Sequence, residues 1–161
     1  MDIFDFAMQM EKDGEAYYRE LAQKCGDKGL ARIFTMLADE EVKHYRIFSR
    51  MKKGKVEVPP TTILSDVKNI FAQMKEKGEQ LAVSADQIAL YRKAQEIEKK
   101  SEDFYGEKAA EVREPGQKES FLKIADEEKK HFLILEGIIE FVQRPQRWLE
   151  DAEWSNIGRE Y

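Results

Sequence analysis

The sequence predicts an all-α protein: a four-helix bundle made of two duplicated helical hairpins joined by a long crossover that holds an extra helix. Three observations lead there. Four stretches carry apolar residues at alternating steps of three and four, the spacing of one helix face. The second pair of stretches repeats the first, with Ala94 standing 87 residues after Ala7. Only nine glycines and four prolines interrupt the 161 residues, which leaves room for long helices.

The first helix is expected over about 3–25, with Gly26-Asp27 and Gly29 marking its turn, and the second over about 28–52, stopping at Gly54. Val58-Pro59-Pro60 opens the crossover. Ile63, Leu64, Val67, Ile70, Phe71 and Met74 then recur at helical spacing, so an amphipathic helix should lie across the bundle. Ser84 followed by Gln87 reads as a capping box opening a helix that runs to about 112. Pro115-Gly116 breaks the chain, and the last long helix is expected over about 117–142, before Pro145. The bundle therefore occupies 1–145. The tail 146–161, with Trp148 and Trp154, is expected to dock on the bundle or on a partner subunit.

The repeat is ungapped. Positions 7–47 and 94–134 share 16 identities over 41 positions, including Ala-Asp-Glu-Glu-x-Lys-His at 38–44 and again at 125–131. Two unrelated amphipathic helices would share scattered Glu and Lys, but not that run.

Hydrophobic residues make up 42% of the chain and charged residues 37%, a mixture suited to a helix-rich globular domain. A net charge of -5 argues against nucleic acid and anionic membranes as partners. No apolar run approaches the roughly 20 residues a membrane span needs, and Met1-Asp2 leads straight into an amphipathic pattern without a signal segment. The single cysteine, Cys25, forms neither an internal disulfide nor a Cys-x-x-Cys knuckle. A reducing cytoplasm is the expected location.

The chemistry lies in the helix seams. The first has Phe4, Ala7, Glu11, Gly14, Tyr18, Leu21 and Cys25; the second has Leu30, Phe34, Leu37, Glu41, His44, Phe48 and Met51. The third has Tyr91, Ala94, Glu98, Ser101, Tyr105 and Val112, interrupted at Lys108, and the fourth Phe121, Ile124, Glu128, His131, Leu135, Ile138 and Val142. Each apolar seam thus carries a glutamate in its middle. Burying unpaired carboxylates costs several kcal/mol each, and no Lys or Arg stands at the same levels. Two divalent cations would balance the four negative charges of Glu11, Glu41, Glu98 and Glu128. His44 and His131, the only histidines, each follow a glutamate by three residues and so share its helix face. This pattern is that of a two-metal carboxylate bundle. Oxygen ligands with two imidazoles suit iron, with manganese or zinc possible, and disfavour copper(I) and iron–sulfur clusters. Small residues at Gly14 and Ser101 leave room for the ions.

With Glu11, Glu41-x-x-His44, Glu98 and Glu128-x-x-His131 on all four helices, the chain resembles the rubrerythrin branch of the ferritin-like di-iron proteins. The resemblance implies that Glu11 and Glu98 each bind mainly one iron, that Glu41 and Glu128 bridge both, and that His44 and His131 take one each. Rubrerythrins often carry a further glutamate three residues after the third-helix ligand. Ser101 stands there, closer to the bacterioferritin set. The residues before the bridging glutamates are expected to orient the histidine of the other half, Glu40 with His131 and Glu127 with His44. Tyr18 and Tyr105, seven residues after Glu11 and Glu98, could donate hydrogen bonds to ligand carboxylates or serve as core aromatics.

The resemblance implies an oxidoreductase that reduces hydrogen peroxide, or oxygen, and protects against oxidative stress. Rubrerythrins that carry a rubredoxin domain do so with two cysteine pairs, which this chain lacks; its expected partner is an external donor such as a rubredoxin-like protein. A homodimer is expected. Two alternatives are an iron-handling ferroxidase or storage protein, which needs a cage assembly, and a manganese catalase. A helical adaptor with a structural site is the plainest reading. The basic clusters Lys52-Lys53-Gly54-Lys55 and Lys99-Lys100 read first as solvated faces and only secondarily as a docking surface for an acidic carrier.

Overall fold

The structure, a computed structural model, describes residues 2–54, 56–78 and 83–143. Among them the chain forms five helices and no strand: α1 (Ile3–Lys24), α2 (Lys28–Met51), α3 (Ile63–Glu76), α4 (Ala85–Glu111) and α5 (Pro115–Gln143). No helix among the described residues is long and apolar enough to cross a membrane. The tail 146–161 with its two tryptophans lies outside the described residues.

Local chemistry sets the helix ends. Asp2 caps α1 by accepting from the Asp5 amide at 2.8 Å, and Asp27 caps α2 by accepting from the Leu30 amide at 2.9 Å. Between them Gly26 takes φ +71°, a left-handed conformation open to glycine, so the chain reverses within three residues. The Ser84–Gln87 capping box forms in both directions. One boundary and the role of one glycine differ from the sequence expectation. Pro115 is the first residue of α5 rather than a break before it, because a residue without an N–H fits the first helical position. Gly29 belongs to α2 rather than to the turn. A Cβ built there would lie 2.4 Å from the Met74 sulfur, so the glycine is the seat that lets α3 approach α2.

The two hairpins are α1–α2 and α4–α5, with α1 beside α4 and α2 beside α5. Tyr18 on α1 reaches Glu98 on α4, while Tyr105 on α4 reaches Glu11 on α1. Residues early on one helix therefore face residues late on the other, so α1 and α4 are antiparallel. The chain runs up, down, crosses the bundle lengthwise, then runs down and up. The crossover is fixed at its start, where Ser120 donates to the Val56 carbonyl at 2.6 Å and Gln117 to the Met51 carbonyl at 2.9 Å. α3 then packs on α2 and α5 of its own bundle, a choice that heptad spacing could not make.

The apolar core falls into two clusters. One holds Leu21, Phe34, Phe71, Tyr91, Leu135 and Phe141 beneath α3; the other holds Ala7, Phe48, Met51, Tyr105, Phe121 and Ile124 at the opposite end. The polar layer described below separates them. In the third seam Ala109 is buried where the pattern faltered, while Lys108 turns outward over the Phe104 ring and pairs with Glu111. Phe71 anchors α3, fully buried with its ring 4.9 Å from Phe141. Phe71→Ala is expected to lower unfolding free energy by about 3–5 kcal/mol. Urea unfolding checks this; a loss below about 1 kcal/mol would mean that α3 is not part of the core.

Candidate metal centre

Each long helix delivers one glutamate to the middle of the bundle: Glu11 from α1, Glu41 from α2, Glu98 from α4 and Glu128 from α5, none more than 3% exposed. His44 and His131 sit one turn further along α2 and α5 and are fully buried, as three-residue spacing dictates. The structure brings all six together. His44 Nδ1 lies 2.8 Å from Glu128 Oε1 and 3.4 Å from Glu11 Oε2. His131 Nδ1 lies 3.4 Å from Glu98 Oε1 and 3.5 Å from Glu41 Oε1. Ligating atoms of Glu11, Glu41, His44 and Glu128 all fall within 4.8 Å of one another, as do those of Glu41, Glu98, Glu128 and His131. The two quartets share Glu41 and Glu128.

A second ring holds these groups in place. Glu127 Oε1 lies 2.8 Å from His44 Nε2, so a proton held on Nε2 leaves the Nδ1 lone pair facing the quartet. Glu40 faces His131 Nε2 at 3.6 Å, longer than a hydrogen bond, because its carboxylate is also taken by Thr61 at 2.5 Å and Lys43 at 3.1 Å. The Tyr18 hydroxyl donates to Glu98 at 2.5 Å and the Tyr105 hydroxyl to Glu11 at 2.7 Å. Both tyrosines thus bind the carboxylate of the opposite repeat. Gly14 makes room for a side chain: a Cβ there would stand 3.3 Å from the Glu41 carboxyl carbon. Ser101 occupies the equivalent place and is buried.

Thr61 escaped sequence reasoning, because the crossover before α3 has no periodicity and nothing in it points at Glu40. Gln95 escaped it as well. It is buried beside the α4 seam and donates to the Phe132 carbonyl at 3.3 Å and to Glu136 at 2.7 Å. A polar residue next to the seam position Ala94 reads as solvent-facing unless the neighbouring helix is known.

The electrostatics are those of a site short of positive charge. Burial pushes the Glu11 carboxyl up to about 7. Burial and the neighbouring carboxylates raise Glu41 and Glu128 well above the ordinary range. For Glu98 burial acts upward, but the adjacent His131 outweighs it and draws the group down to about 2. His131 is raised well above 6.5, burial opposing and Glu98, Glu40 and Glu41 prevailing. Glu11 Oε2, Glu98 Oε2, Glu128 Oε1, His44 Nδ1 and His131 Nδ1 are buried without a hydrogen-bond partner. Lone pairs without donors, converging from four helices, fit cations. The oxygen-and-imidazole set suits iron, manganese or zinc.

A pH dependence follows for the metal-free protein. Glu11, Glu41 and Glu128 hold their protons more tightly when folded than in the unfolded chain, so folding is favoured below the unfolded carboxyl range and weakened as pH rises through the folded values. His131 acts in the same direction above its unfolded value. Metal-free protein is therefore expected to lose melting temperature between about pH 5 and pH 8. The metal-loaded protein should not, since cations replace those protons. Calorimetric melting of both forms across that range checks the sign.

The Rubrerythrin family model matches residues 2–139. No curated protein and no solved structure is found to match the chain. The match takes in all five helices but the last four residues of α5, and with them every glutamate and histidine of the centre. The family is one of di-iron proteins, and the buried carboxylate–histidine cluster is consistent with such a centre. This chain belongs to the rubrerythrin family.

Proposed function

We propose that the protein is a non-haem di-iron oxidoreductase that reduces hydrogen peroxide to water with electrons from an external carrier such as a rubredoxin-like protein. The observation that supports this reading is the pair of overlapping quartets, each with three carboxylates and one imidazole, sharing Glu41 and Glu128. In this reading Glu11, Glu41, His44 and Glu128 hold one iron, and Glu41, Glu98, Glu128 and His131 the other. Two ferrous ions, when bound, supply the two electrons that cleave one O–O bond, so that peroxide, two protons and two electrons give two waters.

The protein's own part is positioning. Tyr18 and Tyr105 fix the carboxylates of Glu98 and Glu11, each from the opposite hairpin, which locks the halves at the level of the chemistry. Glu127 holds the His44 ring with Nδ1 inward. The buried layer, closed at both ends by apolar clusters, keeps bulk water and large reductants away. Electrons would then come from a carrier docked outside, in a reducing cytoplasm.

Protein purified without chelator is expected to hold about two irons per chain, to lose both in Glu41→Ala, which removes a ligand shared by the quartets, and to keep about one in His131→Ala. The reduced protein should consume hydrogen peroxide faster than the same amount of free ferrous iron. Decay no faster than free iron would overturn the peroxidase reading. A cage of many subunits by native mass would favour iron storage, and two bound manganese ions would favour catalase.

A further inference from the structure

We infer that the two metal positions are inequivalent, the one at His44 binding its ion more tightly than the one at His131, and that Thr61 in the crossover is the positioning residue that sets them apart. The inference rests on the two-metal reading above.

The repeat alone would make the positions alike, since Glu40 and Glu127 occupy the same place in each half. Behind the two histidines the structure departs from that symmetry. Glu127 gives its carboxylate to His44 Nε2 at 2.8 Å. Glu127 also borders an open cleft between residues 58–61 and α5. Glu40 is placed differently. Lys43 binds it at 3.1 Å, and the Thr61 hydroxyl donates to the same oxygen that faces His131, at 2.5 Å. His131 Nε2 is left 3.6 Å away with no hydrogen-bond partner.

A carboxylate that accepts the outer N–H of a ligating histidine orients the ring and raises its basicity, and loss of such a partner costs about 10–100-fold in metal affinity. Each bond Glu40 makes elsewhere draws charge from the oxygen His131 needs. Among the described residues no counterpart of Thr61 donates to Glu127, because the crossover exists once in the chain while the hairpins exist twice. The segment that joins the hairpins therefore also distinguishes their metals.

The test is an anaerobic titration of metal-free protein with cobalt(II), followed by calorimetry and by the cobalt absorption bands. The parent is expected to fill in two steps about 10-fold apart. His131→Ala should keep the tighter step and lose the weaker, and His44→Ala should do the reverse. Thr61→Val frees Glu40 for His131 and should bring the second step close to the first. Thr61→Ser keeps the hydroxyl and should behave as the parent. Thr61 also accepts from the Ile63 amide at 3.2 Å, so its loss could loosen the start of α3. Lys43→Met, which leaves the crossover intact, should narrow the gap by the other route.

Two outcomes overturn the inference while sparing the two-metal reading. One is two steps that fall equally in both histidine variants, as simple repulsion between ions would give. The other is a gap unmoved by both Thr61→Val and Lys43→Met. Failure of the parent to bind cobalt at all would overturn both.

Discussion

Four carboxylates in the middle of a helical core are the constraint on which this molecule is built. Each would rather be solvated, and together they repel. In the metal-free chain they are held by partial measures: burial and mutual repulsion raise Glu11, Glu41 and Glu128, His131 beside Glu98 is raised as well, and two tyrosine hydroxyls donate to Glu98 and Glu11. These measures leave six nitrogen and oxygen atoms of the six central residues without hydrogen-bond partners. A core that tolerates this has been kept for something that fills it, since apolar residues of similar size would pack the layer at lower cost. The apolar clusters on either side then act as walls, and their depth gives the layer its low dielectric.

Much of this was legible in the sequence, for reasons that differ by element. The four long helices could be read because burial on one face imposes a period, and the glutamates and histidines stood out as violations of it. The pairing of Glu127 with His44 followed from the resemblance to the rubrerythrins, in whose sites the residue before a bridging glutamate orients the histidine of the other half. The bounds of α1, α2 and α4 came within a residue or so of the expectation because capping chemistry is local: Asp2, Asp27 and the Ser84–Gln87 box.

What was not legible depends on contacts between elements distant in sequence. Glu40 was expected to hold His131, but Thr61, 21 residues later, competes for it. Gly29 reads as a turn glycine until Met74 is seen resting on it. Tyr18 and Tyr105 share a face with Glu11 and Glu98, yet each binds the glutamate of the other hairpin, because α1 and α4 run in opposite directions. Periodicity assigns a residue to a face; only the packing of a second helix says what it meets there.

The shared glutamates carry a consequence for the protein's ancestry. Glu11, Glu41 and His44 of one quartet come from the first hairpin and only Glu128 from the second; in the other quartet the proportions reverse. An unfused chain of half this length, pairing with a copy of itself about a twofold axis, would have assembled the same centre from two identical subunits. In the single chain the segment that joins the halves has no counterpart in the repeat, so no symmetry constrains it.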